Sequence, residues 1–91
     1  MRGLAKKTEE LIAFARTLLA ELHPMTLRQL HYAIFSAAKI AYENTQTDYK
    51  RLSRATTRAR RAHRWGELHG LQVIDGIPHD WIIDELREAK S

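Results

Sequence analysis

Between residues 50 and 64 the sequence places Lys50, Arg51, Arg54, Arg58, Arg60, Arg61 and Arg64, seven of the chain's fifteen basic residues. No acid stands between Asp48 and Glu67. The chemistry open to such a cluster is the binding of a polyanion, because guanidinium groups stay charged and donate forked hydrogen bonds to phosphate. Wound on a helix at about 100° per residue, the stretch separates into two faces. Tyr49, Leu52, Ala55, Thr56, Ala59, Ala62 and His63 fall within an arc of roughly 140°, which can pack on a core. Lys50, Ser53, Arg54, Thr57, Arg58, Arg61 and Arg64 fill the other side, with Arg51 and Arg60 at its edges. Solvated helix faces normally mix signs, since like charges four residues apart repel by a few tenths of a kcal/mol. Here Lys50/Arg54, Arg54/Arg58 and Arg60/Arg64 are all like-charge pairs with no compensating acid. The face reads as one that presents charge to a nucleic acid.

Other chemistry finds little footing. The histidines are His23, His31, His63, His69 and His79, none in an H-x₃-H pattern, and the chain has no cysteine. No metal site and no cofactor are expected. Asp75, Asp80, Asp84, Glu85 and Glu88 make an acidic tail that reads as a solvated face rather than a catalytic carboxylate pair. Ser36, Ser53 and Ser91 lack a nucleophile-elbow context, and the four glycines form no phosphate loop. Nothing supports an enzyme on its own. Most aromatic residues fall on core faces, with Trp65 the exception, lying toward the basic face.

Ninety-one residues make one domain with a modest core. The net charge of +4 is unevenly placed: residues 50–64 hold seven basic and no acidic residues, and residues 65–91 hold two basic and six acidic. The absence of cysteine fits a reducing compartment, and the expected location is cytoplasmic. No apolar run approaches the roughly 20 residues that cross a bilayer, and no secretory signal opens the chain, so no membrane partner is expected. The chain ends at Arg87-Glu88-Ala89-Lys90-Ser91 without a closing structural signal, as the front piece of a longer protein would.

The elements that must hold the basic stretch follow from periodicity and punctuation. Leu4, Leu11, Ile12, Ala15, Leu18, Leu19 and Leu22 recur at helical spacing, predicting a first helix over residues 4–22 that stops at His23-Pro24. Core packing is the default use of its long stripe, and a share in a homodimer contact is the secondary one. Thr26 followed by Gln29 is a capping-box pattern that opens a second helix from Leu27 to about Ala37, with Leu27, Leu30, His31, Ile34 and Phe35 as its buried face. Residues 38–47 connect to the third helix, with Ile40 and Tyr42 dipping into the core as a short strand. The third helix starts between Thr45 and Asp48 and ends near Trp65-Gly66, with Gly66 as the residue just past its end. Leu71-Gln72-Val73-Ile74, Asp75-Gly76 and Ile77-Pro78 predict a small β-hairpin with Pro78 on an edge. Asp80 can cap a last helix from Trp81 to about Ala89, although Trp81-Ile82-Ile83 reads equally well as a strand. The order is that of a mainly α winged helix-turn-helix with a small β-hairpin. Its connection of about ten residues exceeds the three or four of the tightest helix-turn-helix motifs.

Two resemblances bear on this reading. Arg28-Gln29-Leu30-His31-Tyr32, Asn44-Thr45, Tyr49-Lys50-Arg51-Leu52 and Trp81-Ile82-Ile83-Asp84-Glu85 resemble segments of uncharacterised bacterial and phage proteins that read RQLYY, an Asn-Thr turn, Tyr-Lys-Arg-Leu and Trp-Ile-Val-Asp-Glu. That likeness covers most of residues 25–86 and implies a winged-helix DNA-binding module without an activity. Thr26-Leu27-Arg28-Gln29-Leu30-His31-Tyr32 is also similar, over about seven residues, to the winged-helix domain of type IIB topoisomerase A subunits and their relatives that make meiotic double-strand breaks. In those enzymes the second tyrosine of a Tyr-Tyr or Phe-Tyr pair attacks DNA. Tyr32 stands at that place and His31 replaces the first aromatic residue. The topoisomerases also need a second domain whose acidic cluster holds Mg²⁺, and this chain carries none. A tyrosine hydroxyl with a pKa near 10 is a poor nucleophile without activation. Adjacent helical side chains diverge by about 100°, so His31 is no obvious base for Tyr32.

The expected function is therefore binding of double-stranded DNA, sequence-specific or sequence-tolerant, through the basic helix at about residues 47–64. Lys50, Arg51, Arg54, Arg58, Arg61 and Arg64 would contact phosphates and one or two guanines. Gln46, Thr47, Ser53 and Thr57 would hydrogen-bond bases or backbone, His69 and Gln72 would act from the wing, and Arg28 would take a phosphate at a helix start. The alternatives are a protein-interaction module whose cationic helix docks an acidic partner, and the DNA-binding part of a multi-chain nuclease or topoisomerase-like machine in which a second chain brings the metal.

Overall fold

Pro24 and the capping residue two positions after it set the first boundary of the structure. In the computed structural model, which describes residues 2–83 with side chains from Lys6 onward, helix α1 runs over Arg2–Leu22. The N–H of His23 still reaches Leu19 O at 2.8 Å, and the chain then leaves the helix at Pro24. Leu11, Ile12, Ala15 and Leu19 are buried, and Phe14 and Leu18 flank them. Leu22, expected on this stripe, is exposed at the last position of the helix. Leu4 lies outside the described side chains.

Thr26 ends a two-residue strand and caps helix α2 (Leu27–Ala37) at once. Its Oγ1 accepts the N–H of Gln29 at 3.0 Å, and its own N–H donates to Gln29 Oε1 at 2.8 Å. This is the reciprocal capping box read from the sequence. Leu30, His31 and Ile34 are buried as expected, but Phe35 is 43% exposed. On the helical wheel Phe35 stands about 100° from Ile34, at the edge of the stripe. Ala38 closes the helix in the left-handed region at φ 54. The following loop forms no strand, although Tyr42 is buried and Ile40 partly so.

Helix α3 spans Gln46–Leu68 and packs on both α1 and α2. Thr45 Oγ1 caps it by accepting the N–H of Asp48 at 3.1 Å. Leu52, Ala55, Thr56 and Ala59 are buried on the face the sequence assigns to the core, and Tyr49, Ala62 and His63 are half-buried beside them. The helix runs two residues past the expected end, so Gly66 lies inside it and Gly70, at φ 67, takes the left-handed position. Gly66 serves a close approach instead: a Cβ there would stand 2.7 Å from Leu71 O and 2.7 Å from Val73 Cγ2. Overpacking of this kind costs about 1–3 kcal/mol, and the exchange recovers about 1 kcal/mol of helix propensity. Gly66→Ala should therefore lose about 1 kcal/mol net, lowering Tm by roughly 4–8 °C in a thermal circular-dichroism scan.

The segment after α3 corrects the expected wing. The Asp75-Gly76 turn is present, closed by Gly76 N–H to Val73 O at 3.0 Å, but no hairpin forms around it. The backbone groups that a second strand would need are already engaged by helices. Ile77 N–H donates to Ala59 O at 3.1 Å, and Arg16 Nε donates to Gly76 O at 2.8 Å. Ile77 is fully buried as a result. A single 3₁₀ turn (His79–Trp81) follows, where the start of a last helix was an option. The chain then extends as Ile82–Ile83 and pairs in parallel with Met25–Thr26, Met25 opposite Ile82 and Thr26 opposite Ile83. We label these strands β1 (Met25–Thr26) and β2 (Ile82–Ile83). The strand reading of Ile82 and Ile83 holds, and the remainder of the expected helix, residues 84–89, lies outside the described residues. Among the described residues the fold is mainly α, three helices tied by one short parallel strand pair. No helix among the described residues is long and apolar enough to cross a membrane.

Candidate nucleic-acid interface

Because Leu52, Ala55, Thr56 and Ala59 face the core, the opposite side of α3 is turned outward without further choice. Lys50, Arg54, Arg58, Arg61 and Arg64 are all exposed there. From Lys50 to Arg64 the row covers about 21 Å at 1.5 Å per residue. Among the described residues, none of these five cations has a carboxylate within ion-pair distance. The small residues at Ala55 and Ala59 let α3 lie close to its neighbours, so the arginines project from a helix that is itself well seated.

Two other cations of the stretch are held back. Arg51 Nη1 donates to Asp48 Oδ1 at 2.7 Å, and Arg60 Nε reaches Thr56 O at 3.4 Å along its own helix. Ser53 and Thr57 are only half-exposed, whereas Gln46 and Thr47 stand open in the first turn. Arg28 is exposed on α2, its guanidinium 5.9 Å from the Tyr49 ring. With His31, Tyr32, Asn44, Thr45, Gln46 and Tyr49 it lines an open cleft of about 250 Å³ where α2 meets the start of α3. The structure thus joins Arg28 and Gln46 at one end of the cationic row. It does not bring Gln72 there: that residue lines a separate hollow with Arg16 and His63. His69 is no wing residue either, since it caps α3 and packs its ring on Trp65 at 4.4 Å.

A buried polar network fixes how α3 begins. The Tyr42 hydroxyl donates to Asp48 O at 3.1 Å and is hydrogen-bonded to His31 Nδ1 at 2.5 Å, while His31 Nε2 lies 3.0 Å from Asn44 Oδ1. Both ring nitrogens of His31 therefore hold partners away from Tyr32. Burial pushes the Tyr42 hydroxyl well above its usual range, and the Asp48 charge adds to this, so Tyr42 remains a neutral donor. Burial alone would also raise Asp48, but the Glu43 N–H at 2.7 Å, the Arg51 guanidinium and the His31 ring overcome it and hold its carboxyl below the ordinary value. Sequence reasoning missed this set. Tyr42 and Asn44 looked like core filler and turn residue, and the signal available was one histidine on an apolar face with a tyrosine eleven residues on.

A depressed folded-state pKa means that Asp48 stabilises the fold fully above its unfolded value of about 3.8, and less as pH falls through the folded value. Asp48→Asn should be less stable than the parent by about 1–2 kcal/mol at pH 7. The difference should hold down to about pH 5 and close below about pH 4, as urea unfolding at each pH would show.

The described residues contain no cluster of three or more His, Cys, Asp or Glu side chains that would hold a metal. What the surface offers is a cationic helix face with an aromatic cleft at one end and an exposed indole at the other. No protein-family model, curated protein or solved structure matches this chain. The chemistry of the surface carries the functional reading alone.

Proposed function

We propose that this domain binds double-stranded DNA through the outward face of α3, with α2 and α3 acting as a helix-turn-helix pair. The observation that supports this most is the row Lys50, Arg54, Arg58, Arg61 and Arg64, exposed on one helix face with no acid among them. B-form DNA carries one charge per about 1.7 Å of axis, both strands counted, so a row about 21 Å long meets enough phosphates for each of its five cations. The major groove, about 12 Å wide, admits a helix of about that diameter, whereas the major groove of A-form RNA is too narrow. Arg28 and Gln46 extend the contact at the start of α3, and the paired wing is not needed for it. The test is a fluorescence-anisotropy titration of a labelled duplex across a salt series. Five phosphate contacts at about −0.9 each give a log–log slope near −4.5. The expected result is micromolar or tighter binding at low salt with that slope, and weaker binding to the same sequence as double-stranded RNA. A flat salt response, or no binding at low salt, would overturn the reading.

A further inference from the structure

One large aromatic residue lies on the line of the cationic row. Trp65 comes one turn after Arg61, and at about 100° per residue it stands within about 20° of both Arg54 and Arg58 on the helix circumference. It is 53% exposed, and Leu68, the next residue along that line, is 76% exposed. The indole is steadied rather than hidden: the His69 ring packs against it with centroids 4.4 Å apart and an interplanar angle of 53°. The chain therefore fixes an aromatic residue at the end of its cationic row and leaves it exposed.

The position of the ring on this helix says which nucleic-acid feature it fits. Trp65 lies about 6 Å beyond Arg61 along the helix axis, at the C-terminal end of the cationic row. A paired base in the interior of a duplex is stacked on both sides and shows the groove only its edge. An aromatic face can be used only by a base with an open face, one that is unpaired or flanks the end of a duplex.

We infer that Trp65 is a stacking platform for an unpaired nucleobase at the border of the bound duplex, so that the preferred ligand is a duplex carrying a single-stranded extension. The inference rests on the DNA-binding reading and sharpens it. The arginine row holds the duplex by charge, and Trp65 sets the domain at the junction where pairing stops. A base laid on the indole continues the His69–Trp65 pair, and aromatic stacking tolerates any of the four bases.

The experiment separates base from charge. One duplex is prepared with a four-thymine extension and again with the same extension made of abasic residues, which keep the phosphates and lack the bases. The wild-type chain is expected to bind the thymine form about tenfold more tightly, within the range that single-base stacking supplies. The ratio should fall to one in Trp65→Ala and persist in Trp65→Phe, with circular dichroism confirming that each variant folds. Arg54→Ala/Arg58→Ala should weaken both ligands and leave the ratio unchanged. In a Trp81→Phe background Trp65 is the one emitter left of the chain's two tryptophans, and its fluorescence should be quenched by the thymine form and not by the abasic one. Equal affinity of the wild type for both forms, or a preference that survives Trp65→Ala, overturns the inference and leaves the duplex reading standing. Self-association abolished by Trp65→Ala without any change in the ratio also overturns it, and assigns Trp65 and Leu68 to a protein contact. Absence of binding to either form removes the DNA reading and the inference with it.

Discussion

Exchanging Arg54, Arg58 and Arg61 together for alanine is expected to lower duplex affinity roughly 500-fold at about 0.1 M salt. Each phosphate contact removed takes about 0.9 from the log–log salt slope, which at that salt amounts to about eightfold in affinity, and three contacts multiply. The slope should fall by about 2.7, so the parent and the triple variant converge as salt rises. The fold should not suffer. All three side chains are exposed and none has an ion-pair partner among the described residues. Alanine is the best helix former, and the exchange removes the like-charge repulsion of Lys50/Arg54 and Arg54/Arg58. Thermal stability should hold or rise slightly while affinity collapses. That combination distinguishes a binding face from a structural one, because residues that support the fold lose both together. An unchanged affinity at low salt would mean that α3 does not contact the duplex.

Tyr42→Phe is expected to have the largest effect on stability. The exchange keeps the ring and its packing, at 8% exposure, and removes one oxygen. That oxygen is hydrogen-bonded to His31 Nδ1 and to Asp48 O, so two polar groups lose a partner where water is largely excluded. Leaving a buried polar group unsatisfied costs about 1–3 kcal/mol, and two such losses come to about 3 kcal/mol. For a domain this size that lowers Tm by roughly 12–24 °C, a large part of a net stability that is typically about 5–15 kcal/mol. Since His31 belongs to α2 and Asp48 to the first turn of α3, the break should be felt where the two helices meet. Differential scanning calorimetry of the parent and variant measures the effect directly. A Tm within about 3 °C of the parent would mean that the hydroxyl contributes no more than an ordinary surface hydrogen bond.

The parts of this fold that were legible in the sequence are those whose physics is local. Thr26 and Gln29 announced the start of α2 because a capping box needs only residues three apart. Pro24 announced the end of α1, since its ring restricts the residue directly before it. Leu52, Ala55, Thr56 and Ala59 gave the seated face of α3 by their period, and with it the outward direction of Arg54, Arg58 and Arg61. The outward row of the candidate site was therefore visible at once, because one face of a helix determines the other.

What only the tertiary structure decided depends on pairings between distant residues. Asp75-Gly76 makes the turn it promises, but Ile77 N–H goes to Ala59 O and Gly76 O to Arg16, so the expected strands never pair. Met25–Thr26 and Ile82–Ile83 find each other instead, and two-residue strands are too short to show a period. His31 and Tyr42 become one network because the α2–α3 loop folds the tyrosine inward. Composition and period determined which face of α3 carries the charge. Hydrogen bonds between segments far apart in the chain decided where the backbone after α3 runs and how His31 and Tyr42 tie α2 to the start of α3.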